Sequence, residues 1–244
     1  MHPNNNIIDA YNHRLFEKNK NFIPKDDFPW FYLKQFLPEN KNTYFLDAGC
    51  GSGKYCERLI ALGYKNVFGI DLLNDNQYIN CNFNYQRCSI DNTMFHNDFF
   101  DIIFANSVIY HLDDINKGIS ELQRIIKKNG ILILTGHTRN SLFTFWRKIK
   151  LLFNIKSVQN LKYAKFKKTS EYINLLKENG FNIIKQDGYY ISFIFYPFYR
   201  RKALGLRQKG FKLPLLKPKF SRFKILAKLK SNFGYHFVII SRKI

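Results

Sequence analysis

Three glycines at alternate positions, Gly49, Gly51 and Gly53, follow the short apolar run Tyr44-Phe45-Leu46 and the acid Asp47. This arrangement constrains the fold more than any other feature of the chain. A buried strand that ends in an acid and breaks into alternating glycines enters a tight turn. There the backbone takes positive φ and comes close to whatever lies above it. Residues 54–62 then read as a helix, with Leu59, Ile60 and Leu62 apolar and Gly63 closing it. A strand–glycine turn–helix unit offers the free N–H groups of a helix start to a polar or anionic ligand.

The same alternation continues along the chain. Residues 66–70 read as a second strand ending at Asp71, with a third around 85–90 and a fourth at 101–105. Ile115, Ile119, Leu122, Ile125 and Ile126 fall at helical spacing over 115–128, and Asn129-Gly130 stops that helix. Residues 131–135 are apolar almost throughout, as a strand covered on both faces requires. Residues 169–179 predict a helix with Thr169 or Ser170 as N-cap. Residues 181–184 open a sixth strand that can run on into 189–195, and 235–241 form a seventh. No helix-length apolar pattern separates the last two strands, so they are expected to pair antiparallel. The expectation is an α/β fold: a doubly wound, seven-stranded sheet, mostly parallel, with an antiparallel last strand and basic cap insertions. A chain of 244 residues fits one such domain, residues 1–244, with 1–40 as an N-terminal lid segment and 139–168 and 191–233 as the caps.

In a sheet of this kind ligands bind at the C-terminal ends of the strands, at the topological switch point. Gly51-Ser52-Gly53-Lys54 has the look of a P-loop end, but Ala48 stands where that loop needs its first glycine and Tyr55 where it needs Ser or Thr. The dinucleotide fingerprint G-x-G-x-x-G puts Lys54 or Cys56 at its third glycine, which excludes the close helix packing that motif makes. Asp71 ends the second strand, where an acid can accept hydrogen bonds from ribose hydroxyls.

The run Phe45-Leu46-Asp47-Ala48-Gly49-Cys50-Gly51-Ser52-Gly53 resembles the first motif of class I S-adenosylmethionine (AdoMet)-dependent methyltransferases. Residues 99–112, from Phe99-Phe100-Asp101 to Tyr110-His111-Leu112, resemble the fourth-strand motif of the type 11 branch. Lys127-Lys128-Asn129-Gly130-Ile131-Leu132 resembles that branch's entry to the fifth strand. The resemblance covers about 40–138 well and 165–190 loosely. It implies a Rossmann-like fold, with S-adenosyl-L-methionine as cofactor. It also implies that Asp47, Ala48, Gly49, Cys50, Gly51 and Gly53 shape the pocket for its methionine part. Asp71 and Leu72 would hold the ribose, Ser89, Ile90 and Asp91 would flank the adenine, and Asn106 would line the methyl-donor pocket. Here the chain departs from the family pattern: Ser89 stands at the usual adenine-binding acid, with Asp91 two places later. Methyl transfer is an in-line displacement that needs mainly positioning, and a base only when the acceptor must lose a proton. His111 and His137 are the candidate catalytic bases. Tyr11, His13 and Arg14 lie in the lid segment.

Charge carries the remaining information. Of the chain's 39 Lys+Arg and 18 Asp+Glu, residues 1–138 hold 14 and 15, whereas 139–244 hold 25 and 3. Residues 139–168 contain nine Lys or Arg and no acid, and 200–230 contain twelve and no acid. Leu142, Phe145, Trp146, Ile149, Leu152 and Phe153 keep helical spacing inside the first of these, with Arg147, Lys148 and Lys150 off the stripe. Such a helix lies in a membrane interface, or packs its stripe on the domain and leaves a solvated basic face. The first reading implies an acceptor that is a small molecule or lipid-linked, methylated at an anionic membrane surface. A second is an RNA methyltransferase that tracks phosphates with the basic half. A third is a non-catalytic AdoMet-binding regulator. The sequence offers no apolar span of membrane length and no signal-peptide pattern at 1–6. Cysteines 50, 56, 81 and 88 have no disulfide or zinc spacing, and no His/Asp/Glu cluster suggests a metal. The expected location is the cytoplasm, peripheral on the inner face of the membrane in the first reading.

Overall fold

The computed structural model describes residues 28–73, 81–152, 164–191 and 224–244. Helix α1 (Phe28–Leu33) and a 3-10 turn (Lys34–Phe36) precede β1 (Tyr44–Ala48), α2 (Lys54–Ala61), β2 (Asn66–Asp71), β3 (Asn84–Arg87) and β4 (Phe100–Asn106). A 3-10 turn (Ile109–His111), α3 (Ile115–Ile125), β5 (Ile126–Gly136), α4 (Leu142–Leu152), α5 (Thr169–Glu178), β6 (Phe181–Ile191), α6 (Lys224–Phe233) and β7 (Gly234–Lys243) follow.

The seven strands form one sheet in the order β3-β2-β1-β4-β5-β7-β6. Strands β1 to β5 pair in parallel, and β7 runs antiparallel to both β5 and β6. The order reverses between β1 and β4, which makes that junction the switch point. On one face, Phe45, Val67, Phe104, Ile133, Val238 and Ile240 pack under Trp30, Tyr32 and Leu33 of α1 and Tyr55 and Leu59 of α2. On the other, Leu46, Ile103, Leu132, Leu134, Phe237 and Ile239 meet Ile115, Ile119 and Leu122 of α3 and Tyr172 and Leu176 of α5. The alternation of side chains along each strand assigns every residue near the sheet's end to one face or the other. The Asp114 carboxylate caps α3 by accepting from the N–H groups of Asn116 and Lys117 at 2.9 and 3.1 Å.

Four local expectations are corrected. Ile126 and Lys127 belong to β5 rather than to the preceding helix, because Ile126 is fully buried in the sheet and pairs with Phe100. The N-cap of α5 is Lys168, whose N–H donates to the Glu171 carboxylate, while Thr169 turns inward and donates its hydroxyl to the Ser231 carbonyl at 2.6 Å. A helix, α6, does lie between β6 and β7. Among its described side chains the buried ones are the small pair Ala227 and Ser231, which do not mark a core-facing stripe in the sequence. Arg147, expected off the packed side of its helix, is buried with its guanidinium 4.8 Å from the Phe166 ring centroid. Residues 192–195, expected to extend β6, and Tyr11, His13 and Arg14 lie outside the described residues.

Candidate active site

The glycine loop is built from β1, whose end is tied to β2. The N–H groups of Gly49 and Cys50 both donate to the Ile70 carbonyl, at 2.8 and 2.9 Å. Gly49 has φ +76°, and a Cβ added there would stand 2.4 Å from Cγ2 of Val108. The loop therefore lies directly against the turn that leaves β4. Gly53 has φ +71° and starts α2 against the Phe83 ring, where an added Cβ would be 2.5 Å from Cζ. Both positions exclude a side chain twice over, by dihedral and by space. Ala48 and Cys50 are buried beneath the loop.

Asp71 closes the loop from the β2 side. Its Oδ2 accepts from Gly51 N–H and its Oδ1 from Leu72 N–H, both at 2.8 Å. A carboxylate accepts about four hydrogen bonds, so acceptor capacity remains for a bound ligand. Burial raises the Asp71 pKa, and the N–H groups of Gly51, Leu72 and Leu73 oppose that rise. Asp47 is 2 % exposed and its pKa is raised to about 7. Burial is the main cause, Lys54 works against it, Asp71 adds to it, and the Cys56 thiol, 3.8 Å from Oδ2, lowers it slightly. The loop thus holds the buried carboxyl of Asp47 and the half-buried one of Asp71 beside the start of α2, a setting that accommodates a cationic ligand group. Ser89 donates its hydroxyl to Asp91, so these two residues form one unit, beside the buried Ile90.

The ends of β4, β5 and β7 form the second half of the site. Thr135 donates to the Asn106 side-chain oxygen at 2.6 Å, and Ser107 N–H donates to the Thr135 carbonyl at 2.9 Å. Ser107 has φ +59°, rare for a residue with a side chain, at the point where the chain leaves β4. Its hydroxyl is 3.4 Å from Nδ1 of His236. The His236 and His137 rings stand 3.9 Å apart, and Tyr110 and Phe166 flank His137 at 5.8 Å each. His111 lies against Tyr110 at 4.6 Å, and burial lowers its pKa to about 4. The structure therefore brings Asn106, His137 and His111 to one edge of the sheet and adds Ser107 and His236, which the sequence reading missed. The signal for His236 is weak but present: it is the imidazole that opens the apolar run Phe237-Val238-Ile239-Ile240.

Residues 46–134 match a family model described as a methyltransferase domain. The sheet order and the glycine loop at its switch point agree with that match. These residues are a class I AdoMet-dependent methyltransferase domain of the type 11 branch. The chain is similar to a ubiquinone biosynthesis O-methyltransferase from Pelagibacter ubique, 27% identical over 157 residues, 61% of this chain and 65% of the relative. It is also similar to a tRNA U34 carboxymethyltransferase from Mannheimia succiniciproducens, 27% identical over 180 residues, 66% of this chain and 52% of the relative. The chain thus spans between half and two thirds of the length of these curated relatives. Among solved structures, an AdoMet-dependent methyltransferase from Thermotoga maritima superposes with a TM-score of 0.64 at 20% identity, covering 89% of this chain and 88% of that one. A geranyl diphosphate C-methyltransferase from Streptomyces coelicolor superposes with a TM-score of 0.62 at 13% identity, covering 88% and 76%. Both likenesses concern the fold.

Two helices of the basic half lie beside the antiparallel strands of the sheet, α4 against β7 and α6 against β6 and β7. The first basic segment leaves the end of β5, and the second lies between the end of β6 and the start of β7, so both open at the edge where the glycine loop lies. In α4 the described side chains are arranged opposite to a packed cap. Thr144 and Arg147 are buried, whereas Phe145 is 55% and Leu152 84% exposed and Ile149 half-buried on the other side. In α6, Ile225, Leu229 and Phe233 are 78%, 47% and 51% exposed at i, i+4 and i+8, with Lys228 exposed beside them. Among the described residues no group of three or more His, Cys, Asp or Glu could hold a metal, and no helix is long and apolar enough to cross a membrane.

Proposed function

We propose that this protein is an AdoMet-dependent methyltransferase that works at an anionic membrane surface on a small amphipathic or lipid-linked acceptor. Asp47, Ala48, Gly49, Cys50, Gly51 and Gly53 cradle the methionine part of the cofactor, whose ammonium sits toward the buried carboxyl of Asp47. Asp71 and Leu72 take the ribose, the Ser89–Asp91 unit with Ile90 takes the adenine, and Asn106 lines the methyl-donor end. AdoMet supplies an activated methyl group on a sulfonium, and the chain aligns the acceptor for in-line attack and keeps water away.

The observation that carries the membrane reading is the outward apolar ridge on each of α4 and α6. A cap helix buries its apolar stripe and solvates its charges. Here Arg147 is inside while Phe145 and Leu152 are outside. Exposed Phe, Leu and Ile among lysines are the composition of an interfacial helix. Each basic residue close to anionic lipid adds about 1 kcal/mol, so a fraction of the 25 in this half suffices for adsorption. The relative named for ubiquinone biosynthesis is consistent with a lipid-soluble product. The tRNA-modifying relative and the positive charge support the alternative of an RNA acceptor, but phosphate binding gives no reason for apolar ridges at helical spacing.

The test is cosedimentation with phosphatidylcholine vesicles with and without added phosphatidylglycerol, at low and high salt. Binding to the anionic vesicles alone, weakened by salt and by Phe145→Ser with Ile225→Ser, is the expected result. Equal indifference to both vesicle types, together with tight binding of bulk tRNA, would move the acceptor to RNA.

A further inference from the structure

The imidazole of His236 stands at the acceptor end of the sheet. Because β7 is antiparallel to β5, its first residues lie at the edge where β1, β4 and β5 end. Val108 links the two halves: it closes on Gly49 of the cofactor loop, and it directly follows Ser107, whose hydroxyl is 3.4 Å from Nδ1 of His236. Ser107 has a left-handed conformation, with φ +59°. Such a conformation is strained for a residue with a side chain, and strain of this kind concentrates at functional sites.

We propose that His236 is the general base of the methyl transfer, with Ser107 as its positioning residue. This rests on the methyltransferase reading above and narrows it to acceptors that carry a weakly acidic O–H or N–H. Ser107 fixes the ring through Nδ1, and Nε2 takes the proton. The acceptor oxygen or nitrogen gives its proton to Nε2 and forms the new bond to the methyl carbon. The sulfonium C–S bond breaks with its electron pair on sulfur, leaving S-adenosylhomocysteine and an imidazolium that returns its proton to solvent.

Among the described residues, groups near His236 come from the ends of β4 and β5, from β6 and from α1. Ser107 approaches from the end of β4 and His137, its ring 3.9 Å away, from the end of β5. Tyr189 of β6 pairs with His236 in register, and Asp187 lies two residues further along the same face of β6. Diagonal neighbours in a sheet are about 7 Å apart, close enough for the buried Asp187 carboxylate to stabilise an imidazolium. Tyr32 of α1 packs near Asp187, and burial and then that carboxylate push its phenol above the usual range. His111 is set differently: burial holds its pKa near 4, too low for a strong base. Tyr110 and Phe166 pack beside His137 in one buried cluster.

The experiment is an NMR pH titration of the histidine ring protons, assigned with His236→Gln and His137→Gln. It is run on the free protein, with AdoMet and with S-adenosylhomocysteine, beside calorimetry of both ligands. The sulfonium charge lowers the His236 pKa by at least half a unit relative to S-adenosylhomocysteine, and Ser107→Ala changes the His236 titration. His236→Gln keeps AdoMet affinity within threefold. A wild type that binds AdoMet while His236 titrates identically with both ligands overturns the assignment of His236 alone. A folded wild type that binds neither ligand overturns this assignment and the methyltransferase reading together.

Discussion

Replacing Gly49 by alanine tests whether the glycine loop needs glycine for its dihedral, its space, or both. The left-handed backbone costs an alanine about 1–2 kcal/mol. The new Cβ would stand 2.4 Å from Cγ2 and 2.7 Å from Cβ of Val108, so Val108 or the loop must shift. Forced overpacking of this sort costs about 1–3 kcal/mol, for a total of about 2–5 kcal/mol by the same two terms. Gly63 is the internal control, because its φ is +86° and nothing lies within 4 Å of an added Cβ. Gly63→Ala should cost the dihedral term alone, about 1–2 kcal/mol. Urea unfolding of both variants reads the difference directly. Val108→Ala supplies the second check: Gly49→Ala should cost less in that background, with a coupling of about 1–2 kcal/mol. Equal costs for Gly49→Ala and Gly63→Ala, or no coupling to Val108, would refute the close approach of loop and turn.

Asp47 predicts a pH dependence of stability. Its folded pKa, about 7 against an ordinary 3.8, favours the protonated form. Its contribution is therefore fully present below pH 3.8 and is lost as pH rises through about 7. Asp47→Asn removes this dependence, so the stability of the wild type relative to that variant should fall by about 2–3 kcal/mol between about pH 5 and pH 8. A constant gap between the two in urea unfolding would show that the carboxyl is not buried as described. Arg147→Met keeps length and removes the guanidinium stacked on Phe166, a contact worth about 0.5–2 kcal/mol. A melting temperature lower than wild type by a few degrees is expected, and an unchanged one would contradict the inward placement of Arg147.

Most of the sheet is legible in the sequence because its strands are apolar runs bounded by acids and glycines. Tyr44-Phe45-Leu46-Asp47 and Asp101-Ile102-Ile103-Phe104-Ala105 can be little else in a chain with Gly49, Gly51 and Gly53 between them. The start of β5 is not legible. Ile126 continues the helical spacing set by Ile119, Leu122 and Ile125, and only the pairing with Phe100 makes it a strand residue. Helix α6 escapes for the opposite reason: among its described side chains Ala227 and Ser231 are buried, whereas Ile225, Leu229 and Phe233 are exposed. The glycine-loop half of the candidate site is legible because glycines and a strand-ending acid are local signals. The His236–Ser107–His137 group is not, because residues 107, 137 and 236 are brought together by the β4–β5 and β5–β7 registers, which spacing along the chain does not reveal.

The central claim is that the glycine loop and Asp71 together bind AdoMet. Calorimetric titration of the wild type and of Asp71→Asn with AdoMet, with NADH as the control ligand, tests it most directly. Micromolar AdoMet binding by the wild type, no NADH binding, and an affinity weakened by about 1–3 kcal/mol in Asp71→Asn are expected. A folded wild type that binds NADH and not AdoMet, or an Asp71→Asn variant with unchanged AdoMet affinity, would contradict it.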